Sequence, residues 1–457
     1  KEHSVLPFAI ARYVRGRAKQ TSSVVYLPDK ARSMGTLLAA GKGSGKSRLM
    51  GRVICWQDFR KERAQVIIEP NGSTIDNLLD KIRRLSEPHR TEALERLVYV
   101  DMSGRDGHVM AWPLYYRYPG ESLYEAAVRF IEVIRRLDPA LTTASIEGFN
   151  ALSEVGIYAG MVAVALSWQI TQVADLIATP ERYTGELQWV AATYPEAGQA
   201  ANYFLSVLPS LKPAEKERKV GAFLRKIAVF SLEPTLRSMV AASEPRIDWE
   251  AVIAEGKTVL LDFRGVLDSE RRRFLMLWTF REFLTYIKRR GAGRHTPVGL
   301  VVDELTALYN FDAQAGSTIF AADLDELINV LARNYSVWLL LALQEIFQVD
   351  EKSRKTLLTM GTKIIGVTTD SEAALTLARS FMPYDPTRIK HFDPVYDMRG
   401  NIFDFTPRYW SIEEQLLLAA QAFQTLKPFH FLVKVSEREG DVTGHLQLLS
   451  IANIEPG

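Results

Sequence analysis

Eight residues, Ala40-Gly41-Lys42-Gly43-Ser44-Gly45-Lys46-Ser47, constrain this chain more than any other stretch. They lie between an apolar run, Gly35-Thr36-Leu37-Leu38-Ala39, and a segment of helical periodicity from Ser47 to Arg60. Glycines at this spacing let backbone N–H groups turn inward around a polyphosphate, and the following helix adds the positive end of its dipole. Lys46 supplies a point charge for the β and γ phosphates, and the Ser47 hydroxyl suits Mg²⁺. Ala40 stands where the pattern usually has glycine, which costs little at negative φ. The expected nucleotide contacts are Gly41, Lys42, Gly43, Ser44, Gly45, Lys46, Ser47 and Arg48. A strand, such a loop and a helix in this order imply a parallel sheet with the loop at its carboxyl edge.

The rest of the chain agrees with an α/β class. Ala64–Glu69 reads as a strand stopped by Pro70-Asn71-Gly72, Thr74 to Leu85 as a helix, and Leu97–Asp101 as a strand. Between Glu121 and Ser243 the β-branched runs vanish. A capping box, Ser122 with Glu125, opens a helical pattern, and further helical stretches cover 143–171, 194–208 and 214–230. Strands resume at Thr258–Phe263, Val298–Val302, Val337–Leu343 and Lys363–Val367, with a dense apolar helix over 270–288. Phe429–Val435 and Val442–Leu449 read as a closing hairpin. The expected organisation is a basic, solvated arm over 1–24, a nucleotide-binding domain over 25–118 and 246–457, and an all-α insertion over 119–245.

Composition narrows the function. With 457 residues, 47% hydrophobic and 24% charged, the chain is neither disordered nor collagen-like. A net charge of +2 leaves no gross basic excess, so a nucleic-acid surface must be local. The single cysteine, Cys55, excludes an intrachain disulfide. Seven scattered histidines show no metal-ligand spacing. The longest apolar stretch, Val155 to Trp168, falls short of the ~20 residues of a membrane span and reads as a core helix.

Three further signals complete a hydrolytic site. Val298–Val302 delivers Asp303 and Glu304 at a strand end, Asp303 to hold Mg²⁺ and Glu304 to accept a proton from attacking water. Trp338–Leu343 ends in Gln344, which sets a neutral amide beside the γ phosphate. Charge developing on the transferred group calls for a cation, and Arg333 is the first choice, with Arg354, Arg379 and Arg388 behind it. Asp262 also ends a strand but lacks a second acid and ranks lower.

This motif set resembles the FtsK/HerA superfamily of DNA-pumping ATPases, and within it the TraG/TraD-type coupling proteins of conjugation and type IV secretion. The turn Glu69-Pro70-Asn71-Gly72 before Asp76-Asn77-Leu78-Leu79, the position of the all-helical insertion, and Ile247–Lys257 leading into Leu260-Leu261-Asp262-Phe263 are similar to that family. So are the acid pair, Arg333 and Gln344. The resemblance implies a RecA-like P-loop fold with a mostly parallel central sheet, ATP and Mg²⁺ at catalytic sites between subunits, a homo-hexamer with DNA in a central channel, and secretion-channel or relaxosome partners. It implies a cytoplasmic location, at the inner face of the membrane through partners or a preceding N-terminal anchor. Arg271-Arg272-Arg273 and the Tyr309-Asn310-Phe311 loop are candidate channel contacts. The alternatives are a protein-handling secretion ATPase and a nucleotide-gated scaffold recruiting partners through the all-α domain.

Overall fold

The structure, a computed structural model, describes residues 3–6, 9–14, 17–21, 25–105, 107–137, 146–308, 324–381, 384–435 and 447–451. Of residues 3–26, 133–137, 146–152, 222, 226 and 447–450 it describes the backbone only. The strands are β1 His3–Leu6, β2 Ala9–Val14, β3 Arg17–Thr21, β4 Val25–Pro28 and β5 Thr36–Ala39. They continue with β6 Gln65–Glu69, β7 Leu97–Asp101, β8 Thr258–Asp262, β9 Val298–Val302 and β10 Val337–Leu343. The last are β11 Thr362–Ile365, β12 Ile389–Tyr396, β13 Ile402–Tyr409, β14 His430–Val435 and β15 Gln447–Ser450.

Eleven of these make one sheet in the order β3-β2-β15-β14-β11-β5-β10-β9-β6-β8-β7. The seven from β11 to β7 run parallel, and β14, β15, β2 and β3 add antiparallel pairings on one side. Every residue of β5, β6, β8, β9, β10 and β11 is buried. That is why these strands read as unbroken apolar runs, since helices cover both faces of a parallel sheet. One layer of the core includes Leu38, Ile67, Leu260, Val301, Leu340 and Ile364, and the other Leu37, Val66, Val259, Leu300 and Leu339.

Between β7 and β8 every described regular element is helical, the main ones being Leu123–Leu137, Ile146–Leu166, Ile170–Ala178, Thr184–Thr193 and Pro213–Leu232. This helical region is fused to the sheet layer. Phe130 packs on Phe230 and Trp278, and Trp278 belongs to the long helix Ser269–Arg290 that follows β8. Buried Arg129 bridges Glu121 and Glu282 across the same boundary. Among the described residues no helix is long and apolar enough to cross a membrane, and Val155, Ala159, Val162 and Ala163 are buried in the core.

Two regions differ from the sequence reading. The basic segment taken as a solvated arm forms β1 to β3, of which β2 pairs with β15, more than 430 residues away, extending the main sheet. Such non-local pairing leaves no local signature. The segment after the helix Ser371–Phe381 forms the separate two-stranded ribbon β12–β13, which Pro394 and Pro407 disguise because proline argues against a strand.

Candidate nucleotide-binding site

The C-terminal ends of β5, β6, β9 and β10 meet at one edge of the sheet. After β5 the loop Ala40–Gly45 is pinned by backbone hydrogen bonds, with Ala40 N donating to Leu343 O at 3.1 Å and Gly41 N to Val367 O at 2.9 Å. Gly43 and Gly45 adopt φ of 77° and 94°, whereas Ala40 has no positive φ, so the alanine fits its place. At Gly45 a Cβ would lie 2.3 Å from the Phe429 ring. Phe429 N donates to Ser44 O, so the turn before β14 braces the loop from outside. The helix opens at Lys46, passes through a π-helical turn over Met50–Cys55 and runs on to Arg60.

Lys46 Nζ donates to Asp303 Oδ1 at 2.6 Å and stands 3.7 Å from Glu304 Oε2. Ser47 Oγ donates to Asp303 Oδ2 at 3.3 Å. Glu304 itself has φ 62°, a left-handed conformation that costs a residue with a Cβ on the order of 1 kcal/mol. Its carboxylate is fixed on both oxygens, by Thr306 Oγ1 at 2.5 Å and by Gln344 Nε2 at 2.7 Å. The loop lysine, the acid pair and the strand-end amide thus form one connected group.

Sequence reasoning missed the second half of this cluster. Thr74, fully buried at the start of the helix Ser73–Arg83, donates from Oγ1 to Asp303 Oδ2 at 2.7 Å. Ser73 Oγ donates to Ser47 Oγ at 2.9 Å. Glu69 turns back to accept from the backbone of Thr74 at 2.6 Å and Ile75 at 3.2 Å, closing the helix N-terminus. Burial and then the Asp303 charge push the Glu69 carboxyl up to about 8. The turn Glu69–Gly72 was visible in the sequence, but its grip on Asp303 spans 229 positions and has no local signal. Glu345, beside Gln344, likewise accepts from Thr368 Oγ1 at 2.5 Å and ties β10 to the β11 end.

Arg333 is not brought to this group. It is exposed just before β10, at the opposite edge of the sheet, and the seven residues of β10 put it on the order of 20 Å from Gln344. Arg379 and Arg388, at and beyond the end of the helix Ser371–Phe381, lie toward that far edge too. Arg354 stays near the carboxyl edge, stacked over the Phe347 ring at 3.9 Å. Asp262 is a pin: it accepts from Tyr99 Oη and Arg264, and Arg264 also holds Asp76 and the Gly72 carbonyl. Arg271 pairs with Glu233 at 3.0 Å on the first turn of its helix. The Tyr309–Phe311 loop lies outside the described residues.

The donor set fits a nucleotide with Mg²⁺. Ser47, Ser73, Thr74 and Asp303 offer only oxygen, the hard ligand type that Mg²⁺ takes. The Ser44 hydroxyl is buried in the loop with no partner among the described residues. One ammonium faces two carboxylates, which leaves a local deficit of positive charge.

No protein-family model matches the chain, and no curated protein matches it. Solved structures do. Plasmid coupling protein TrwB, in complex with the non-hydrolysable GTP analogue GDPNP, is 15% identical with a TM-score of 0.55, covering 98% of this chain and 96% of TrwB. TrwB in complex with ADP and Mg²⁺ gives 0.52 at 15% identity, over 94% and 89%. VirB4 of Thermoanaerobacter pseudethanolicus gives 0.54 at 12% identity, over 97% and 96%. The resemblance to TraG/TraD-type coupling proteins is therefore met by the fold along nearly the whole chain. The chain has the RecA-like P-loop α/β fold, with its mostly parallel central sheet, that TrwB and VirB4 share.

Proposed function

We propose that this protein is a Mg²⁺-dependent P-loop ATPase of the conjugative coupling-protein type, which turns hydrolysis into movement of DNA through a homo-oligomeric ring. The observation that carries the reading is the convergence of Lys46, Asp303, Glu304 and Gln344 from three separate strand ends within hydrogen-bonding reach of one another. The neighbour solved with ADP and Mg²⁺ supports the choice of ligands.

In this reading Gly41 to Arg48 cradle the phosphates, and Lys46 exchanges Asp303 for them. Ser47 and Asp303 hold the metal, which when bound neutralises charge on the phosphoryl oxygens. Thr74 keeps Asp303 turned toward Ser47. Glu304, held by Thr306 and Gln344, takes the proton of the attacking water, and Gln344 is placed to report the γ phosphate through that same hydrogen bond. Arg333, exposed at the far edge of the sheet, is out of reach of its own site, and this reading gives it no part in the chemistry there.

The test is ATP turnover by the purified chain with and without single- and double-stranded DNA. DNA raises the rate, and Lys46→Ala abolishes it in a chain whose circular dichroism shows it still folded. Retained hydrolysis in that variant removes the site assignment. A rate indifferent to both forms of DNA removes the DNA-moving part and leaves the protein-handling ATPase.

A further inference from the structure

Granted the nucleotide-binding reading, on which this rests, we propose that Phe429 is a positioning residue for the phosphates. From the turn before β14 it sets the Ser44–Gly45 peptide so that the Gly45 N–H faces the ligand.

Phe429 stands in a conformation that its side chain does not favour. Lys427, Pro428, Phe429 and His430 form a turn closed by His430 N, which donates to Lys427 O at 3.1 Å. Phe429 is the third residue of that turn and has φ 64°. Glycine or asparagine is usual at such a place, because a side chain with a Cβ is strained there. The ring is kept against this local cost, and its contacts show what it does. A Cβ on Gly45 would lie 2.3 Å and 2.9 Å from two of the ring carbons, so the ring presses on the loop at the glycine just before Lys46. The Arg48 guanidinium lies over the same ring, 5.4 Å from its centroid, in the first turn of the helix that follows. Phe429 therefore touches the loop on both sides of Lys46.

The backbone completes the hold. Phe429 N donates to Ser44 O at 2.8 Å. In a trans peptide the C=O and N–H point opposite ways, so a Ser44 carbonyl drawn toward Phe429 turns the Gly45 N–H away from it. That is the side from which an anion must come, because the brace occupies the other. A donor already turned to its ligand needs no reordering on binding, and the saving appears as affinity. Behind the brace, Phe429 O accepts from Ile451 N at 2.8 Å, just past the end of β15. One residue thus ties the phosphate loop to the antiparallel flank of the sheet. Phe429 also packs on the buried layer that includes Leu49 and Phe431, so its part in stability and its part in binding have to be measured separately.

Titration calorimetry of the full chain with ADP and Mg²⁺, beside ATP turnover and a melting curve, separates them. Phe429→Gly suits the positive φ and removes the ring. Its dissociation constant for ADP and its KM for ATP rise at least about tenfold, as for loss of a hydrogen bond to a charged group. Its kcat stays within about twofold of the wild type's, because Lys46, Glu304 and Gln344 are undisturbed. Phe429→Tyr, which keeps the ring, restores the affinity. Val435→Ala, at the other end of β14, lowers the melting temperature and leaves the affinity alone. Should Phe429→Gly not fold, hydrogen exchange of the wild type decides: by linkage, bound ADP slows exchange in peptides covering 427–431. Unchanged ADP affinity in the folded glycine variant, an equal loss in the tyrosine or Val435 variant, or exchange at 427–431 indifferent to bound ADP overturns the proposal. In each of these cases ATP turnover by the wild type leaves the nucleotide site itself standing. A wild type that binds no ADP removes both.

Discussion

The two ends of the same parallel strands have been put to opposite uses. At the carboxyl end Lys46, Ser47, Asp303, Glu304 and Gln344 share hydrogen bonds, Glu304 is held in a left-handed conformation, and hydroxyls converge on one carboxylate. At the amino end one cluster of charged groups is locked away in ion pairs. Arg32 is buried and forms a bidentate pair with Asp58, while its guanidinium stacks 4.3 Å above Trp338 at the start of β10. Arg63 joins the pair from 3.5 Å. Parallel topology imposes the asymmetry. Helices that follow parallel strands point their N-termini at the carboxyl edge, so anion-binding dipoles accumulate there, and the opposite edge is free to carry stability. A substitution at the amino edge should therefore cost folding without touching chemistry, and one at the carboxyl edge should do the reverse.

The largest expected effect comes from the amino edge. Asp58→Ala leaves the Arg32 guanidinium buried without its carboxylate, with Arg63 still nearby. Breaking a buried pair in this way costs about 3–5 kcal/mol. The urea midpoint should fall accordingly, while nucleotide affinity per folded molecule stays as in the wild type. If affinity falls with stability, the two edges are coupled and the contrast fails.

Thr74→Val makes the complementary test. It removes a 2.7 Å hydrogen bond to Asp303 and keeps the shape of a fully buried side chain. A hydrogen bond to a charged group contributes about 1.5–3 kcal/mol. Turnover should drop about tenfold or more, and the Mg²⁺ concentration for half-maximal rate should rise. Thr74→Ser, which restores the hydroxyl, should recover most of both. A variant that loses stability but keeps its Mg²⁺ requirement would make Thr74 a packing residue.

How much of this was legible beforehand follows from the range of each interaction. The structure gives β9 and β10 the bounds the sequence implies, Val298–Val302 and Val337–Leu343, because each is an unbroken apolar run closed by polar residues. The phosphate loop was legible because its chemistry is local: glycines, a lysine and a serine within eight positions. The approach of Ser47 to Asp303 was legible too, since both suit one Mg²⁺. The hold of Thr74 on Asp303 was not: it spans 229 positions, and nothing beside Thr74 in the chain announces the contact. The β2 pairing with β15 and the Phe429 brace on Gly45 were hidden for the same reason. The ribbon β12–β13 was concealed by its own prolines. Arg333 shows the converse: its position in the chain, shortly before Gln344, suggested nearness, yet the strand between them is what separates the two.

The smallest effect refines the amino edge further. Lys363, on β11, lies opposite Lys434 of β14, and its Nζ donates to Met360 O at 2.9 Å. Burial, and then the Lys434 charge, bring the Lys363 ammonium down to about 8. The folded state thus surrenders this proton more readily than the unfolded chain, whose lysine titrates near 10.5. Between about 8 and 10.5 the unfolded state binds more protons, so stability rises with pH across that window, and below it the full penalty is present. Lys363→Met removes the buried charge and keeps the length of the side chain. The gain is offset by loss of the hydrogen bond to Met360, leaving a net stabilisation of about 1 kcal/mol at pH 7. The melting temperature should rise by roughly 2 °C, with the increase shrinking toward pH 10. ATP turnover should not change, because β11 delivers this residue to the edge where stability is set. A variant that melts lower at pH 7 would mean that Lys363 is paired by something stronger than a carbonyl, and that the amino edge holds its charges more tightly than the buried lysine pair suggests.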